Sequence, residues 1–340
     1  MSDIFFRELG LRKPDYRLAV RAKTLSKQIA NIIEESGKLL MKENPDALLV
    51  LGDTNSSLSA VVARRLKIPI FHLEAGNRAF DWDVPEETNR RIVDHISDFN
   101  LAYTEHARRY LIAEGIHPGS IYVTGSPYPE IFKRFETEIA ASKVLDELGL
   151  DPQKYFLVST HREENVESET RLRELFNAFK YLARIYHLPV VVSLHPRTRK
   201  RVDNLGRLDP LIRLHEPFGF FEYARLEKDS LCVLSDSGTI PEETAPLKLS
   251  AVQIRASSER PEAFDAGLLI LTGFNRRTIA SAVSLVIEEK NRGAERAIPI
   301  DYLDPNFSSK VVKLVLGLTS ISKNDRPIGT RVPATPGSLR

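Results

Sequence analysis

The densest group of chemically active side chains lies at residues 72–95, with the sequence HLEAGNRAFDWDVPEETNRRIVDH. Residues 74–91 of this stretch hold five carboxylates and three arginines: Glu74, Asp81, Asp83, Glu86, Glu87, Arg78, Arg90 and Arg91. Grouped carboxylates differ in pKa when burial and mutual repulsion act on them unequally, so one can retain a proton near neutral pH while another acts as a base. The stretch therefore predicts a site for acid–base chemistry.

An apolar segment at residues 68–73 positions this group, because it has the pattern of a buried strand and would place Glu74 at its carboxyl end. Ligands bind at that edge in open α/β sheets. Asp53, in LGDTNSS, follows a second predicted strand at residues 47–51 and would reach the same edge. Asp53 could also cap the next helix, and the two roles are compatible.

A second candidate site follows the predicted strand at residues 231–235, in the segment SDSGTIPEE. Ser237, Gly238 and Thr239 precede a helix predicted from about Pro241. Free backbone N–H groups and the positive end of a helix dipole suit a diphosphate. An ordinary capped helix start has the same composition, and this segment alone would favour that interpretation.

Short apolar segments alternate with helical patterns along the whole chain, which predicts an α/β fold with parallel sheets. The predicted strands are residues 47–51, 68–73, 99–103, 121–124, 155–159, 190–194, 212–214, 231–235, 251–254 and 268–271. A charged helical stretch near residues 132–150 separates the first four strands from the rest. We predict two Rossmann-like domains, residues 1–150 and 151–319, and a disordered polar tail at residues 320–340.

Composition excludes several classes of protein. The 340 residues carry 48 basic and 46 acidic side chains, a net charge of +2, without a basic block that would predict a nucleic-acid partner. No apolar run is long enough for a signal peptide or a membrane span. The single cysteine, Cys232, cannot form an internal disulfide, which fits a reducing cytoplasm. Neither a metal-ligand spacing nor a dinucleotide glycine fingerprint is present, so we expect no cofactor.

Five blocks together resemble the non-hydrolysing UDP-N-acetylglucosamine 2-epimerase family: residues 72–95, LGDTNSS, THREEN at 160–165, SDSGTIPEE, and SERPEA at 258–263. They follow the family's order from about residue 3 to about residue 318. The stretch EAGNRAFDWDVPEETNRRIVDHISD is most similar to the branch that converts UDP-2-acetamido-2,6-dideoxy-L-talose to UDP-N-acetyl-L-fucosamine for surface polysaccharides such as capsule or O-antigen. The resemblance implies two glycosyltransferase-B-like domains facing a cleft, a UDP-2-acetamido sugar as substrate, and a homodimer.

The resemblance also implies residue roles. Proton transfer at the sugar is assigned to Asp53, Glu74 and Glu86, with His161 beside a phosphate oxygen. Substrate binding is assigned to Arg78, Tyr223, Ser237, Gly238, Thr239, Glu243 and Arg260. Of these, Tyr223 would lie beside the uracil and Glu243 would bind the ribose hydroxyls, while Thr239 stands where the family has glycine. His161 and His195 both follow predicted strands, where a lone histidine is more often a structural hydrogen-bonder; the resemblance favours a catalytic role only for His161.

The implied reaction needs paired acid–base groups, because no carbonyl adjoins the C2 hydrogen to make it acidic. Anti elimination of UDP makes that proton removable and yields a 2-acetamidoglycal, to which UDP is added back after protonation from the other face. Two acid–base groups in different protonation states, and cations or dipoles on the leaving diphosphate, are therefore required.

Members of the family normally begin with a strand and a GTRPE loop, neither of which occurs here. The opening MSDIFFRELGLRKPDYRL is similar to an internal family segment, so we expect the first domain to lack its usual first strands. A late start site, a remnant gene or a second chain that fills the gap would each explain this. The alternatives to an epimerase are a hydrolysing 2-epimerase, a UDP-sugar glycosyltransferase and an inactive UDP-sugar-binding remnant.

Overall fold

A computed structural model describes residues 6–18, 20, 22–82, 84–160, 168–194 and 196–324. Two parallel sheets form the framework, and helices cover them, so the predicted α/β class is confirmed. All ten predicted strands are present, with bounds that differ by at most two residues from those predicted.

The first sheet has four strands in the order β1-β2-β3-β4. Its strands are β1 (Leu48–Leu51), β2 (Ile70–Ala75), β3 (Phe99–Ala102) and β4 (Ile121–Val123). The helices around it are α1 (Leu25–Glu43), α2 (Ser59–Arg65), α3 (Pro85–Ile96) and α4 (Glu105–Ala113). Strand β2 is buried apart from Glu74, as expected for a parallel strand that helices cover on both faces.

The second sheet has six strands in the order β10-β9-β8-β5-β6-β7. Its strands are β5 (Phe156–Ser159), β6 (Val190–Ser193), β7 (Ile212–His215), β8 (Cys232–Ser235), β9 (Ala251–Gln253) and β10 (Ile270–Leu271). The intervening helices are α5 (Tyr128–Arg134), α6 (Glu136–Ala141), α7 (Val144–Leu148), α8 (Glu169–Tyr186), α9 (Pro196–Asp203), α10 (Phe220–Asp229), α11 (Ile240–Leu247), α12 (Pro261–Asp265) and α13 (Arg276–Asn291). The last described helix is α14 (Phe307–Asn324).

The packing of the helices differs from the prediction at both ends of the second domain. Helices α5 to α7 were predicted to belong to the first domain, yet Phe132 and Ile139 pack against Ala224 of α10 in the second. Helix α14 returns to the first sheet, where Val311 packs with Phe71. The predicted boundaries at residues 150 and 319 are therefore wrong, because a helix belongs to the sheet that buries its apolar face, which its own sequence does not specify.

The predicted start of the tail is also too early, since α14 continues to Asn324. Within the described parts of the chain, no helix is both long and apolar enough to cross a membrane.

Candidate functional site

The carboxyl edges of the two sheets face each other across a cleft, and the described residues include four side-chain hydrogen bonds that join them. They are Arg260 to Glu74 (2.6 Å), His106 to Asp265 (2.9 Å), Ser257 to Asp81 (3.4 Å), and Ser126 to Glu242. The predicted acid–base group and the SDSGTIPEE segment therefore belong to one site.

Glu74 has an unusual backbone in an otherwise regular strand. The pairing of β2 with β3 shifts between Leu73 and Ala75, and Glu74 has a φ of +66°. A bulge of this kind redirects a side chain, and a left-handed non-glycine residue is strained. The result is that the Glu74 side chain stays 26% exposed at the end of a buried strand. Burial raises the pKa of Glu74, and the neighbouring Arg260 opposes this rise.

Asp53 pairs with Arg90 instead of capping a helix. Its Oδ2 accepts hydrogen bonds from Arg90 Nε (2.9 Å) and Nη2 (2.5 Å). The short 3₁₀ turn that follows has Thr54 as its N-cap, without a side-chain cap. Arg90 also pairs with the buried Glu87 at 2.8 Å, so Glu87 and Arg90 support the loop.

Glu86 lies in the first turn of α3, beside the N-terminal Pro85. It is half-buried, and within the described residues it has no hydrogen bond or ion pair. Glu86 is therefore the carboxylate of the predicted catalytic set whose oxygens are least committed to other side chains.

Arg78 was predicted to contact the sugar, but its guanidinium is buried inside the first domain. Nη1 donates to Asp94 Oδ2 (2.7 Å), while Nε and Nη2 donate to Glu114 (2.8 and 2.5 Å). Asp94 also accepts from the buried His72 at 2.8 Å. Burial opposes the charge on Asp94, but His72 and Arg78 outweigh it and lower the pKa of Asp94. This network favours a supporting role for Arg78 over the predicted contact.

On the opposite wall, Ser237, Gly238 and Thr239 are half-buried directly before α11. Thr239 stands at the N-cap position with helical dihedral angles, and its side chain caps no backbone N–H. Its hydroxyl group bonds with Ser237 Oγ (2.8 Å) and donates to Glu243 Oε1 (2.7 Å). Ser237 Oγ accepts from Thr239 N at 3.3 Å, so Ser237 supplies a side-chain cap of the kind that the simpler interpretation requires, and the same hydroxyls border the cleft.

Two buried glutamates lie behind this loop. Burial and interaction with Glu243 raise the pKa of Glu227 well above its usual range. Burial and the same two glutamates also raise the pKa of Tyr223, so its phenol stays neutral. Sequence reasoning missed Glu227, although it stands one helical turn after Tyr223 on α10.

Arg260 has a different place from the one predicted. Its guanidinium is buried and contacts carboxylates from both domains, Glu74 and Glu242. Sequence reasoning missed Glu242 because it is one of two adjacent glutamates in SDSGTIPEE, and only the orientation of α11 distinguishes them. His161 and His195, with the rest of THREEN after Thr160, lie outside the described residues.

Comparison with known proteins identifies the family. A family model described as UDP-N-acetylglucosamine 2-epimerase matches residues 1–316, which include both walls of the cleft. The chain belongs to the UDP-N-acetylglucosamine 2-epimerase family. It is 37% identical over 300 residues to UDP-N-acetylglucosamine 2-epimerase of Methanocaldococcus jannaschii, and this alignment covers 85% of the chain and 82% of the relative.

Solved structures of this epimerase family have the same two-domain fold. UDP-N-acetylglucosamine 2-epimerase from Rickettsia bellii matches with a TM-score of 0.87 and 44% identity, over 95% of this chain and 87% of that one. The Methanocaldococcus jannaschii enzyme in complex with UDP-GlcNAc and UDP matches with a TM-score of 0.86 and 33% identity, over 93% and 88%. The predicted arrangement of two facing domains is confirmed.

Proposed function

We propose that this chain is a nucleotide-sugar 2-epimerase that inverts C2 of a UDP-2-acetamido sugar. The observation that carries the proposal is the juxtaposition of two unlike walls, joined by the contact of Arg260 with Glu74 at 2.6 Å. One wall presents carboxylates for proton transfer, and the other presents hydroxyls and a helix start suited to a diphosphate.

The reaction proceeds by elimination and re-addition. The C1–O bond breaks as UDP leaves with the bonding electrons, a carboxylate takes the C2 proton, and a 2-acetamidoglycal results. A second group then delivers a proton to the other face of C2, and a UDP oxygen forms the C1–O bond again. Asp53, Glu74 and Glu86 are the candidates for these proton transfers. Glu74 is favoured as a base, because a pKa raised by burial brings a carboxylate closer to neutral pH.

The second domain binds the nucleotide in this proposal. Ser237, Gly238 and Thr239 contact the diphosphate, and His161 donates to it, a role that rests on the family resemblance. Glu243 accepts from the ribose hydroxyls, and Tyr223 lies beside the uracil. The half-buried position of the Ser237 loop supports this assignment, since a ligand can reach it from the cleft.

The sugar is either UDP-N-acetylglucosamine or the 6-deoxy-L-talo sugar of the resembled branch. The resemblance supports a product used for surface polysaccharides, and a cytoplasmic homodimer. Size-exclusion chromatography with light scattering tests the dimer.

Incubation in deuterated water tests the reaction. With each sugar nucleotide offered separately, we expect deuterium at C2 of the product and retention of the UDP linkage. Steady accumulation of free UDP would instead indicate a hydrolysing epimerase. Transfer of the sugar to an acceptor without C2 label would indicate a glycosyltransferase, and binding of UDP without turnover would indicate an inactive binding protein.

A further inference from the structure

One guanidinium joins the two walls of the cleft. Arg260 Nε and Nη2 donate to Glu242 Oε1 at 2.8 and 2.6 Å, within the second domain. The same Nη2 donates to Glu74 Oε1 of the first domain at 2.6 Å. Arg260 is only 2% exposed, so water does not screen these pairs strongly.

Glu242 is itself fixed from the opposite domain. Its Oε2 accepts a hydrogen bond from Ser126 Oγ, and both residues are buried. The Arg260 guanidinium also lies 5.9 Å from the ring centre of Tyr103, another first-domain side chain. Glu242 therefore holds Arg260 through Oε1 and is itself held by Ser126 through Oε2, whereas Glu74 is the more exposed partner of Arg260, at 26%.

We propose that Glu242 is a positioning residue, which holds Arg260 against Glu74 and thereby keeps Glu74 competent as a base. This inference rests on the proposed epimerase function. It assigns Arg260 to the reacting carboxylate, and not to the nucleotide as the family resemblance implied.

The charge of Glu242 and its contact with Arg260 change the pKa of Glu74 in opposite directions. Burial raises the pKa of Glu74, Arg260 lowers it, and the negative charges of Glu242 and Asp53 raise it again. Among the described residues, the neutral phenol of Tyr103 also lies beside Glu74. Removing only the charge of Glu242 should lower the pKa of Glu74. Removing its oxygens should release Arg260 and raise that pKa.

Two substitutions separate these effects. Glu242→Gln keeps an oxygen for Arg260 and an amide that can bond Ser126, so turnover should stay within about threefold of the native protein. The acidic limb of its pH–turnover profile should move to lower pH. Glu242→Ala should lower turnover roughly 10- to 100-fold and move the acidic limb to higher pH, as loss of a positioned base predicts. Asp265→Asn is the control, because it removes the carboxylate from a different contact between the domains, His106 to Asp265, without touching Arg260. It should leave the acidic limb of the pH–turnover profile unchanged.

A second measurement does not depend on turnover. In the UDP-bound protein, the carboxyl carbon of Glu74, assigned with Glu74→Gln, is titrated by ¹³C NMR in all three variants. Shifts of opposite sign for Glu242→Gln and Glu242→Ala support the proposal. Shifts of the same sign, or equal losses of turnover in both Glu242 variants, overturn it. If the native protein exchanges no C2 hydrogen, the proposed function fails, but the titration still decides whether Glu242 positions Arg260 on Glu74.

Discussion

The two walls of the cleft neutralise their carboxylates in different ways. In the first domain the buried Asp94 pairs with Arg78, and the partly exposed Asp53 pairs with Arg90. In the second domain, Glu227 and Glu243 face each other, and burial with this repulsion raises the pKa of Glu227. On the second wall Glu242 also pairs with an arginine, Arg260, but the raised pKa of Glu227 favours the protonated form of that acid.

This difference fits the tasks of the two walls in the proposed reaction. A proton-transfer site needs carboxylates in fixed positions with distinct pKa values, and arginine pairs supply both conditions. A site for a UDP diphosphate must not repel it, and a protonated acid pair beside hydroxyl groups meets that requirement. Arg260 connects the two, since it comes from the second wall and pairs with Glu74 of the first.

The largest effect on stability should come from the buried arginine of the first wall. Arg78→Met removes the buried arginine that Asp94 and Glu114 share, and we expect the free energy of unfolding to fall by about 3–5 kcal/mol. Urea denaturation measures it. Arg64→Met is the control: its pair with Asp98 is half-exposed at Arg64, so it should cost less than about 1 kcal/mol. If Arg78→Met left the stability unchanged and weakened the affinity for the sugar, the predicted contact of Arg78 with the sugar would be supported.

The next largest effect should separate chemistry from binding. Glu74→Gln keeps the shape of the side chain but cannot accept a proton, so turnover should fall about 100-fold or more. UDP affinity, measured by calorimetry, should change little, because the proposed nucleotide contacts lie on the other wall. Parallel losses of turnover and UDP affinity would show that proton transfer and nucleotide binding are not separated between the two walls.

Local pattern predicted the strands well but could not assign helices to sheets. The strand β2 is apolar apart from His72 and Glu74, a pattern that the sequence alone displays. Helix α14 is amphipathic wherever it packs, and only the fold shows that Phe307 and Val311 return to the first sheet. The sequence of helix α5 likewise does not show which sheet it belongs to. The contact of Phe132 with Ala224 shows that it packs against the second domain.

For the candidate site, the sequence likewise predicted positions at the sheet edge but not the long-range contacts of the side chains. Asp53 and Glu74 were correctly expected at the same sheet edge, because parallel strands end together. The sequence did not predict that the Arg78 side chain points into the first domain. A charged residue in a polar loop is usually solvated, and its partner Glu114 is 36 residues away. Contacts between the domains, such as Arg260 to Glu74, depend on how two separate sheets meet, which no local pattern contains.

A smaller effect should test the nucleotide loop on the second wall. Ser237→Ala removes one hydroxyl, and we expect UDP affinity to fall roughly tenfold, as for a hydrogen bond to a charged group. Ser168→Ala is the matched control, since Ser168 caps α8 through Arg171 N at 3.3 Å. It should cost about 1 kcal/mol of stability and leave UDP affinity unchanged. If Ser237→Ala behaved like Ser168→Ala, the helix-cap interpretation would be correct.

The smallest effect should come from the acid pair of the second wall, and it should depend on pH. Because the folded state raises the pKa of Glu227, the protonated form contributes stability at low pH. This contribution is complete below the unfolded pKa of about 4.3 and is lost as pH rises through the folded pKa, at about 1.4 kcal/mol for each unit between the two values.

Glu227→Gln cannot ionise, so its stability relative to the native protein should increase from pH 4 towards pH 8, by on the order of 1 kcal/mol. Urea denaturation across this range measures the difference, with the exposed Glu216→Gln as the control that should show none. A constant difference between Glu227→Gln and the native protein would mean that Glu227 is already ionised, and that both walls of the cleft are equally charged.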